Sequence, residues 1–214
     1  MRGGRRKPPV LAAISAARPS GDSRAWRLRR AAYEALGSLL KEKGGAGAVL
    51  FTGAERGKTA AAVGLATVAT AAGRRAALLE CDLTRPRLAA DLGLSGGPGL
   101  HEYLRGEASA PQILQPLVLA GPAAAGAVAP LTCIVAGAPS PEGRDLLAGG
   151  DFAHAISKLR GAYDLVVVDG PPLGRDEASL AEIARRVDET LACVEGSKPP
   201  RKPPVPIAGL ISLV

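Results

Sequence analysis

One stretch constrains the fold most: residues 48–59, which read AVLFTGAERGKT. Its apolar beginning, residues 48–52, predicts a short buried strand, and the Ala-rich segment 60–72 predicts a helix. Strand, glycine turn, Lys-Thr and helix is the order of a phosphate-binding P-loop, in which backbone N–H groups and the helix N-terminus attract an anion. The sequence therefore predicts a phosphate site at the start of this helix.

The predicted loop has one irregularity. The usual pattern is GxxxxGK(S/T), but only three residues separate Gly53 from Gly57. A shorter loop offers fewer N–H groups, so an ordinary glycine turn before a helix is the alternative interpretation. We expect Lys58 to add positive charge and the Thr59 hydroxyl to ligate Mg²⁺. The candidate nucleotide-binding residues are Gly53, Ala54, Glu55, Arg56, Gly57, Lys58, Thr59 and Ala60.

Three acidic residues complete the predicted site. Glu80 ends the mostly apolar run AALLE, Asp82 lies two residues further on, and Asp169 ends the run YDLVVVD before a Gly-Pro-Pro turn. Because ligands of parallel sheets sit beyond the carboxyl ends of the strands, we expect these carboxylates beside the loop. Mg²⁺ prefers oxygen ligands, and another carboxylate can take a proton from an attacking hydroxyl. The candidate metal ligands are Thr59, Glu80, Asp82 and Asp169.

Each acidic residue also has a simpler interpretation. Asp169 can cap the following turn, and Glu80 and Asp82 can pair with Arg85 and Arg87. An acid that follows four buried apolar residues at a Gly-Pro-Pro turn favours a Walker B role for Asp169. With that strand and the loop in the same chain, we interpret all three acids as site residues.

Strands alternate with helices along the rest of the sequence, which predicts an α/β fold with a mainly parallel sheet flanked by helices. Near-continuous apolar strands favour burial on both faces of the sheet. Further helices are predicted over residues 24–43, 87–92, 144–159 and 179–186, and further strands over residues 116–120, 132–136, 191–194 and 207–214.

Length and charge suggest one domain with an arm. The 214 residues suit a single P-loop domain over 24–214, and much of the net charge of +7 lies before residue 31. A basic arm can contact nucleic acid or an anionic membrane. We interpret residues 1–23 as a solvated, flexible arm, so nucleic acid is not an expected partner.

The cysteines argue against a metal site, and the uncharged stretch argues against a membrane-spanning helix. Cys81, Cys133 and Cys193 lie in apolar runs without metal-ligand spacing, which predicts buried, reduced thiols and a cytoplasmic location. Residues 108–141 carry no charge but contain several prolines and glycines. A membrane-spanning helix needs about 20 mostly unbroken apolar residues, so two buried strands joined by a loop are the better interpretation.

The motifs together resemble the bacterial tyrosine kinases of capsular and exopolysaccharide assembly (BY-kinases), which belong with the Min/Par-type P-loop ATPases. The resemblance covers roughly residues 31–194. Besides the loop, the segments that carry it are ALLECDLTRPRL from Ala77, GLHEYLRGEAS from Gly99, AGAPSPEGRDLL from Ala136 and YDLVVVDGPP from Tyr163. Their order and spacing are more specific than the P-loop itself.

This resemblance implies ATP and Mg²⁺ as cofactors and transfer of phosphate to tyrosine hydroxyls. It implies that Lys58 binds phosphates, that Thr59 ligates Mg²⁺ and that Asp169 holds a metal-bound water. One of Glu80 and Asp82 would hold Mg²⁺ and the other would act as base. The implied partner is a membrane chain-length regulator of polysaccharide polymerisation, and a homo-oligomer is a further option. The implied location is the cytoplasm, at the periphery of the inner membrane through the partner.

Several departures from the family pattern leave two alternatives open. The loop is about two residues shorter than the family's TSxxPGEGK(S/T), and Glu80 stands where the family has Asp. KPPRKPPVP replaces a helix before the last strand, and Ala31, Glu34 and Gly37 replace the assembly pattern ExxRxxR. The family's C-terminal tyrosine cluster is missing; the tyrosines are Tyr33, Tyr103 and Tyr163. The alternatives are a degenerate, non-catalytic nucleotide-binding regulatory module and a Min/Par-type ATPase.

Overall fold

Eight strands of the described part of the chain form one sheet, and all but one of them run parallel. The computed structural model describes residues 8, 10–14, 47–55, 57–118, 130–195 and 202–213. The spatial order of the strands is β1-β8-β7-β2-β6-β3-β5-β4. The strands are β1 Val10–Ile14, β2 Ala48–Gly53, β3 Ala76–Glu80, β4 Gln115–Leu117, β5 Leu131–Ile134, β6 Leu165–Asp169, β7 Glu189–Glu195 and β8 Gly209–Leu213. The predicted α/β class with a mainly parallel sheet is confirmed.

Helices cover both faces of this sheet, as parallel strands require. Within the described residues they are α1 Lys58–Ala71, α2 Leu88–Leu92, α3 Leu100–Leu104, α4 Ala110–Ile113, α5 Gly143–Ala148, α6 Gly150–Ala162 and α7 Glu177–Ala184. None of these helices has the length and apolar character that a membrane span needs.

The apolar strands divide the core into two layers. On one face, Leu65 of the Ala-rich helix α1 packs with Val49 and Phe51 of β2. On the other face, Phe152 of α6 and Leu180 of α7 belong to the cluster that contains the other side of β2 and β6. Alternate residues of β2 therefore face opposite layers, and the strand is buried along its whole length.

The register of the central strands sets the position of the site. Phe51 of β2 and Glu80 of β3 both pair with Asp169 at the end of β6. The carboxyl ends of three neighbouring strands therefore lie level with one another. The loops that leave them, including the one that leads into α1, meet above the same edge of the sheet.

Two element predictions need correction, and one helix was not predicted. The first strand of the uncharged stretch, predicted as buried, is the short edge strand β4, which runs antiparallel to β5 and is half-exposed. The helix predicted over residues 144–159 is two helices, because the chain between α5 and α6 is extended at Gly149. The short helix α4 was not expected. Residues 119–129 of the uncharged stretch lie outside the described part of the chain.

The other end of the sheet also differs from expectation. β1 lies within the predicted flexible arm, so at these five residues the arm is a strand, paired with β8. The rest of the arm and the helix predicted over residues 24–43 lie outside the described residues. The connection before β8 is not helical where it is described, but Val205 is buried in the second core layer and takes part in covering that face.

The three cysteines are free thiols and all are buried, as the sequence predicts. Burial raises the pKa of Cys133 and of Cys193 to about 12, because the uncharged thiol is favoured where water is excluded. These thiols therefore belong to the core and not to a reactive site.

Candidate functional site

The P-loop leaves β2 in close contact with β7. Gly53 has φ 116°, and a Cβ at this position would overlap the backbone of Cys193. The next amide, Ala54 N–H, donates to the Cys193 carbonyl at 2.8 Å. The first amide of the turn therefore continues the sheet and does not face a ligand. Gly57 has φ 103° and precedes α1, whose first residue is Lys58. Arg56 lies outside the described residues.

Lys58, Thr59 and Asp169 form one hydrogen-bonded group. Lys58 Nζ is 2.7 Å from Asp169 Oδ1, and the Thr59 hydroxyl donates to Asp169 Oδ2, also over 2.7 Å. The side chains of Lys58 and Asp169 are 6% and 2% exposed. The structure thus brings together the loop lysine, the loop threonine and the acid at the end of β6.

Two effects oppose each other at Asp169. Burial raises the pKa of this carboxyl, and the nearby Lys58 ammonium and Thr59 hydroxyl lower it in part. A buried carboxyl group stays ionised at neutral pH only when it has such partners. The group is therefore an ion pair held by one hydroxyl, and its members depend on one another.

Asp82 approaches from the neighbouring strand. It follows β3, and its Oδ1 accepts hydrogen bonds from the Thr84 hydroxyl at 3.1 Å and from Arg85 N–H at 3.2 Å. Burial raises the pKa of Asp82, while the bond from Thr84 and the charge of Lys58 lower it in part. A carboxylate whose pKa is raised by burial is a stronger base, which suits proton abstraction.

Glu80 has a different environment. Its Oε1 accepts from Arg87 N–H at 2.6 Å and from Leu88 N–H at 2.8 Å, and its Oε2 accepts from Ala136 N–H at 3.0 Å. The residue is 1% exposed. Burial raises the pKa of Glu80 and the three amides lower it in part. The carboxylate holds the start of α2 against the segment after β5, and three of its roughly four acceptor sites are already used.

A cavity of about 450 Å³ lies between the loops that follow β3 and β6. Both walls carry charge of both signs. The lining residues are Asp82, Thr84, Arg85, Pro171, Pro172, Arg175 and Asp176. The cavity is therefore a polar cleft at the carboxyl edge of the sheet, with Asp82 in one wall.

Three contacts join the loop after β6 to the P-loop. The Thr52 hydroxyl donates to the Pro171 carbonyl at 2.7 Å, and Leu173 N–H donates to the Gly53 carbonyl at 3.1 Å. Arg175 donates to Glu55 at 3.0 Å. Thr52 and Arg175 were not among the predicted site residues. A hydroxyl one residue before Gly53 is a weak local signal for Thr52. No local signal indicates that Arg175 pairs with Glu55.

Comparison with known proteins identifies relatives of this chain. No protein-family model matches the chain. The chain is 28% identical over 150 residues to the tyrosine-protein kinase wzc of Salmonella typhimurium, over 66% of this chain and 20% of that protein. It aligns with the kinase domain of the Escherichia coli tyrosine kinase ETK with a TM-score of 0.76 and 20% identity, over 96% of this chain and 90% of that domain. The chain is homologous to the bacterial tyrosine kinases.

This homology confirms the resemblance to BY-kinases that the sequence motifs indicated. A second likeness, to the septum site-determining protein MinD of Pyrococcus horikoshii in complex with Mg-ADP, has a TM-score of 0.53 and 19% identity over 71% of this chain and 58% of that one. It confirms the Min/Par-like architecture of the fold. The chain spans only a fifth of the length of the wzc relative.

Proposed function

We propose that the chain is an ATP-dependent protein-tyrosine kinase-like protein of exopolysaccharide or capsule assembly, which transfers the γ-phosphate of ATP to tyrosine hydroxyls. The observation that carries this proposal is the group of Lys58, Thr59 and Asp169, joined by hydrogen bonds of 2.7 Å. Lysine, hydroxyl and acid in this relation form the core of a P-loop phosphate site. The homologous kinases support tyrosine as the acceptor.

In the proposed complex, the chain's own residues divide the work. Lys58 donates to the nucleotide phosphates, and the N–H groups at the start of α1 face the same anion. Asp82 accepts the proton of the tyrosine hydroxyl as the new P–O bond forms and the bond to the leaving ADP oxygen breaks. Glu80 holds the loop that carries Asp82 in place, and its predicted role as metal ligand or base stays a prediction.

The residues also fit Mg²⁺. Mg²⁺ is held by hard oxygen ligands and keeps several waters, and the Thr59 hydroxyl and the Asp169 carboxylate are ligands of this kind. When bound, Mg²⁺ neutralises charge on the phosphates. The Thr59 hydroxyl and Asp169 carboxylate already lie 2.7 Å apart, and movement of the Lys58 ammonium toward the phosphates would free the Oδ1 atom of Asp169.

Calorimetry tests nucleotide binding directly. We expect Mg-ATP and Mg-ADP to bind the wild-type protein with micromolar affinity, about 8 kcal/mol of binding free energy, and the Lys58→Ala variant to lose it. The exposed Lys158→Ala on α6 is the matched control and retains wild-type affinity. Circular dichroism checks that Lys58→Ala is folded. No binding by the wild-type protein contradicts the proposal.

Phosphotyrosine detection tests the transfer. The purified protein, incubated with Mg-ATP and a tyrosine-containing partner or a second copy, is expected to gain phosphotyrosine that the Lys58→Met variant does not produce. A second candidate function, a nucleotide-binding regulatory module without transfer, is favoured by the bond from Ala54 N–H to Cys193, which withdraws one amide from the short loop. Nucleotide binding without phosphotyrosine would select this candidate.

The partner and location belong to the same proposal. We assign a membrane chain-length regulator of polysaccharide polymerisation as the partner, which would hold the protein at the cytoplasmic face of the inner membrane. Homology to the wzc and ptk kinases supports this assignment. Co-purification of the protein with the cytoplasmic segment of such a regulator tests it, and failure of the two to associate in the presence of Mg-ATP and of Mg-ADP would contradict it.

A further inference from the structure

The ion pair between Arg175 and Glu55 has no role in the proposed mechanism. Its guanidinium nitrogen and carboxylate oxygen are 3.0 Å apart, and each side chain is 43% exposed. Ion pairs this exposed contribute little to folding stability because water screens them. The pair nevertheless joins two functional loops, since Glu55 lies in the P-loop and Arg175 in the loop after β6. Its position, and not its strength, calls for an explanation.

Arg175 also faces the reaction cleft. It lines the cavity between the loops that follow β3 and β6, opposite Asp82, and its positive charge lowers the pKa of Asp82. The same side chain therefore lies between the P-loop and the acid proposed to act on the acceptor. In a P-loop site, the terminal phosphate lies between the loop that holds the phosphates and the group that activates the attacking oxygen.

The P-loop is short and has one of its amides already bonded. Only three residues separate Gly53 from Gly57, and the Ala54 amide is already bonded to Cys193. A terminal phosphate therefore meets fewer backbone N–H groups than in a full-length loop. A guanidinium offers several N–H donors in a planar fork, which matches a phosphate better than it matches the single carboxylate oxygen that it contacts here.

We propose that Arg175 is an additional binding residue for the terminal phosphate of the nucleotide, and that Arg175 stays paired with Glu55 until that phosphate binds. This inference rests on the proposed nucleotide site. Binding of ATP exchanges one partner of Arg175 for another, from the Glu55 carboxylate to phosphate oxygens. ADP lacks the terminal phosphate and leaves the ion pair in place. Arg175 thus supplies discrimination between the two nucleotides that the short loop does not provide.

Arg85 lies in the opposite wall of the cavity and is the natural comparison. Its backbone N–H donates to Asp82, but within the described residues no ion pair connects its side chain to the P-loop. The contact with Glu55 shows that the Arg175 guanidinium reaches the P-loop. The two acids of the cavity, Asp82 and Asp176, repel a phosphate, and a cation on this side offsets that repulsion.

The test is calorimetric titration of Mg-ATP and Mg-ADP into the wild-type protein and four variants. Arg175→Ala is expected to weaken ATP binding about tenfold or more while ADP affinity changes by less than about twofold. Glu55→Ala is expected to strengthen ATP binding, and this gain is expected to vanish in the Glu55→Ala, Arg175→Ala double variant. The exposed Arg185→Ala on the surface of the protein is the matched control.

The outcomes separate the inference from the function it rests on. If the wild-type protein binds ATP and Arg175→Ala binds both nucleotides as the wild type does, Arg175 is not a phosphate contact. Equal losses for ATP and ADP contradict the assignment to the terminal phosphate. A gain from Glu55→Ala that persists in the double variant shows that Glu55 merely repels the nucleotide. A wild-type protein that binds neither nucleotide overturns the proposed function and this inference together.

Discussion

Lys58 and Asp169 form a salt bridge of 2.7 Å in which the two side chains are almost entirely buried. The lysine begins α1 and the acid ends β6, so one contact joins the phosphate loop to the strand that carries the proposed metal-site acid. Because each charge is desolvated, each depends on the other. The pair is therefore both a part of the proposed site and a point on which local stability depends.

Lys58→Met is expected to lower the free energy of unfolding by about 3 kcal/mol, because it leaves the Asp169 carboxylate buried without its cation. The double variant Lys58→Met, Asp169→Asn is expected to be more stable than Lys58→Met alone, since the stranded charge is gone. Urea unfolding of the wild type, both single variants and the double variant measures this. Costs that simply add would show that the two side chains do not interact.

Asp82→Asn is expected to stabilise the protein at neutral pH while it lowers phosphate transfer about 100-fold or more. The pKa of Asp82 is raised by burial above its usual 3.8, so the folded state binds the proton more tightly than the unfolded chain does. The stability that this group contributes is therefore present below the unfolded pKa and is lost as pH rises through the folded pKa.

Urea unfolding in Mg²⁺-free buffer from pH 4 to pH 8 measures this effect. Asp82→Asn is expected to show a smaller loss of stability with rising pH than the wild type. Asp145→Asn, at an exposed position on α5, is the control and keeps the wild-type pH profile. An unchanged profile in Asp82→Asn would show that burial does not control this carboxyl.

Glu80→Gln is expected to cost about 1–3 kcal/mol of stability. The amide nitrogen of Gln would be a donor that faces a backbone N–H group, in place of a carboxylate oxygen that accepted its hydrogen bond. Hydrogen exchange of the Ala136 amide, 3.0 Å from Glu80 in the wild type, is expected to accelerate. Glu142→Gln, on a largely exposed side chain, is the control and should change stability by less than about 0.5 kcal/mol. Wild-type protection of Ala136 in Glu80→Gln would refute the role of Glu80 in holding this segment.

Gly53→Ala is expected to lose several times more stability than Gly73→Ala. Both glycines have positive φ, so both variants pay backbone strain of about 1 kcal/mol. Only at Gly53 does the added Cβ overlap a neighbouring strand, at the backbone of Cys193, whereas nothing lies within 4 Å of the Cβ position at Gly73. Thermal unfolding of the two variants compares them, and similar melting temperatures would mean that the contact relaxes without cost.

Much of the candidate site could be inferred because its signals are local. Four apolar residues before Asp169 identify a buried strand, and parallel strands share one functional edge, so the meeting of Asp169 with Lys58 follows from the sequence. The partners of Glu80 do not. Ala136 is 56 residues away, and its contact with Glu80 depends on β3 and β5 being neighbours, which no local pattern specifies.

The same distinction applies to the edges of the sheet. Val10–Ile14 is a short apolar run between basic and proline-containing segments, and nothing in it identifies a partner. It becomes a strand because β8 offers an unpaired edge almost 200 residues later, as the register from Val10 to Leu210 shows. Arg175 is similar, since its partner Glu55 is 120 residues away. Contacts between residues far apart in the sequence decide these features, and the periodicity of the sequence does not indicate which residues will pair.

The hydrogen bond from Ala54 N–H to the Cys193 carbonyl couples the length of the phosphate loop to the pairing of β2 with β7. An additional residue between Gly53 and Gly57 that restored the usual spacing would either bulge outward and leave that bond intact, or release the Ala54 amide and shorten the ladder between β2 and β7. The first course adds only the amide of the new residue, whereas the second also frees the Ala54 amide for the phosphate. Recovery of the full set of loop donors therefore costs one hydrogen bond between β2 and β7, so the phosphate loop and the strand pairing change together.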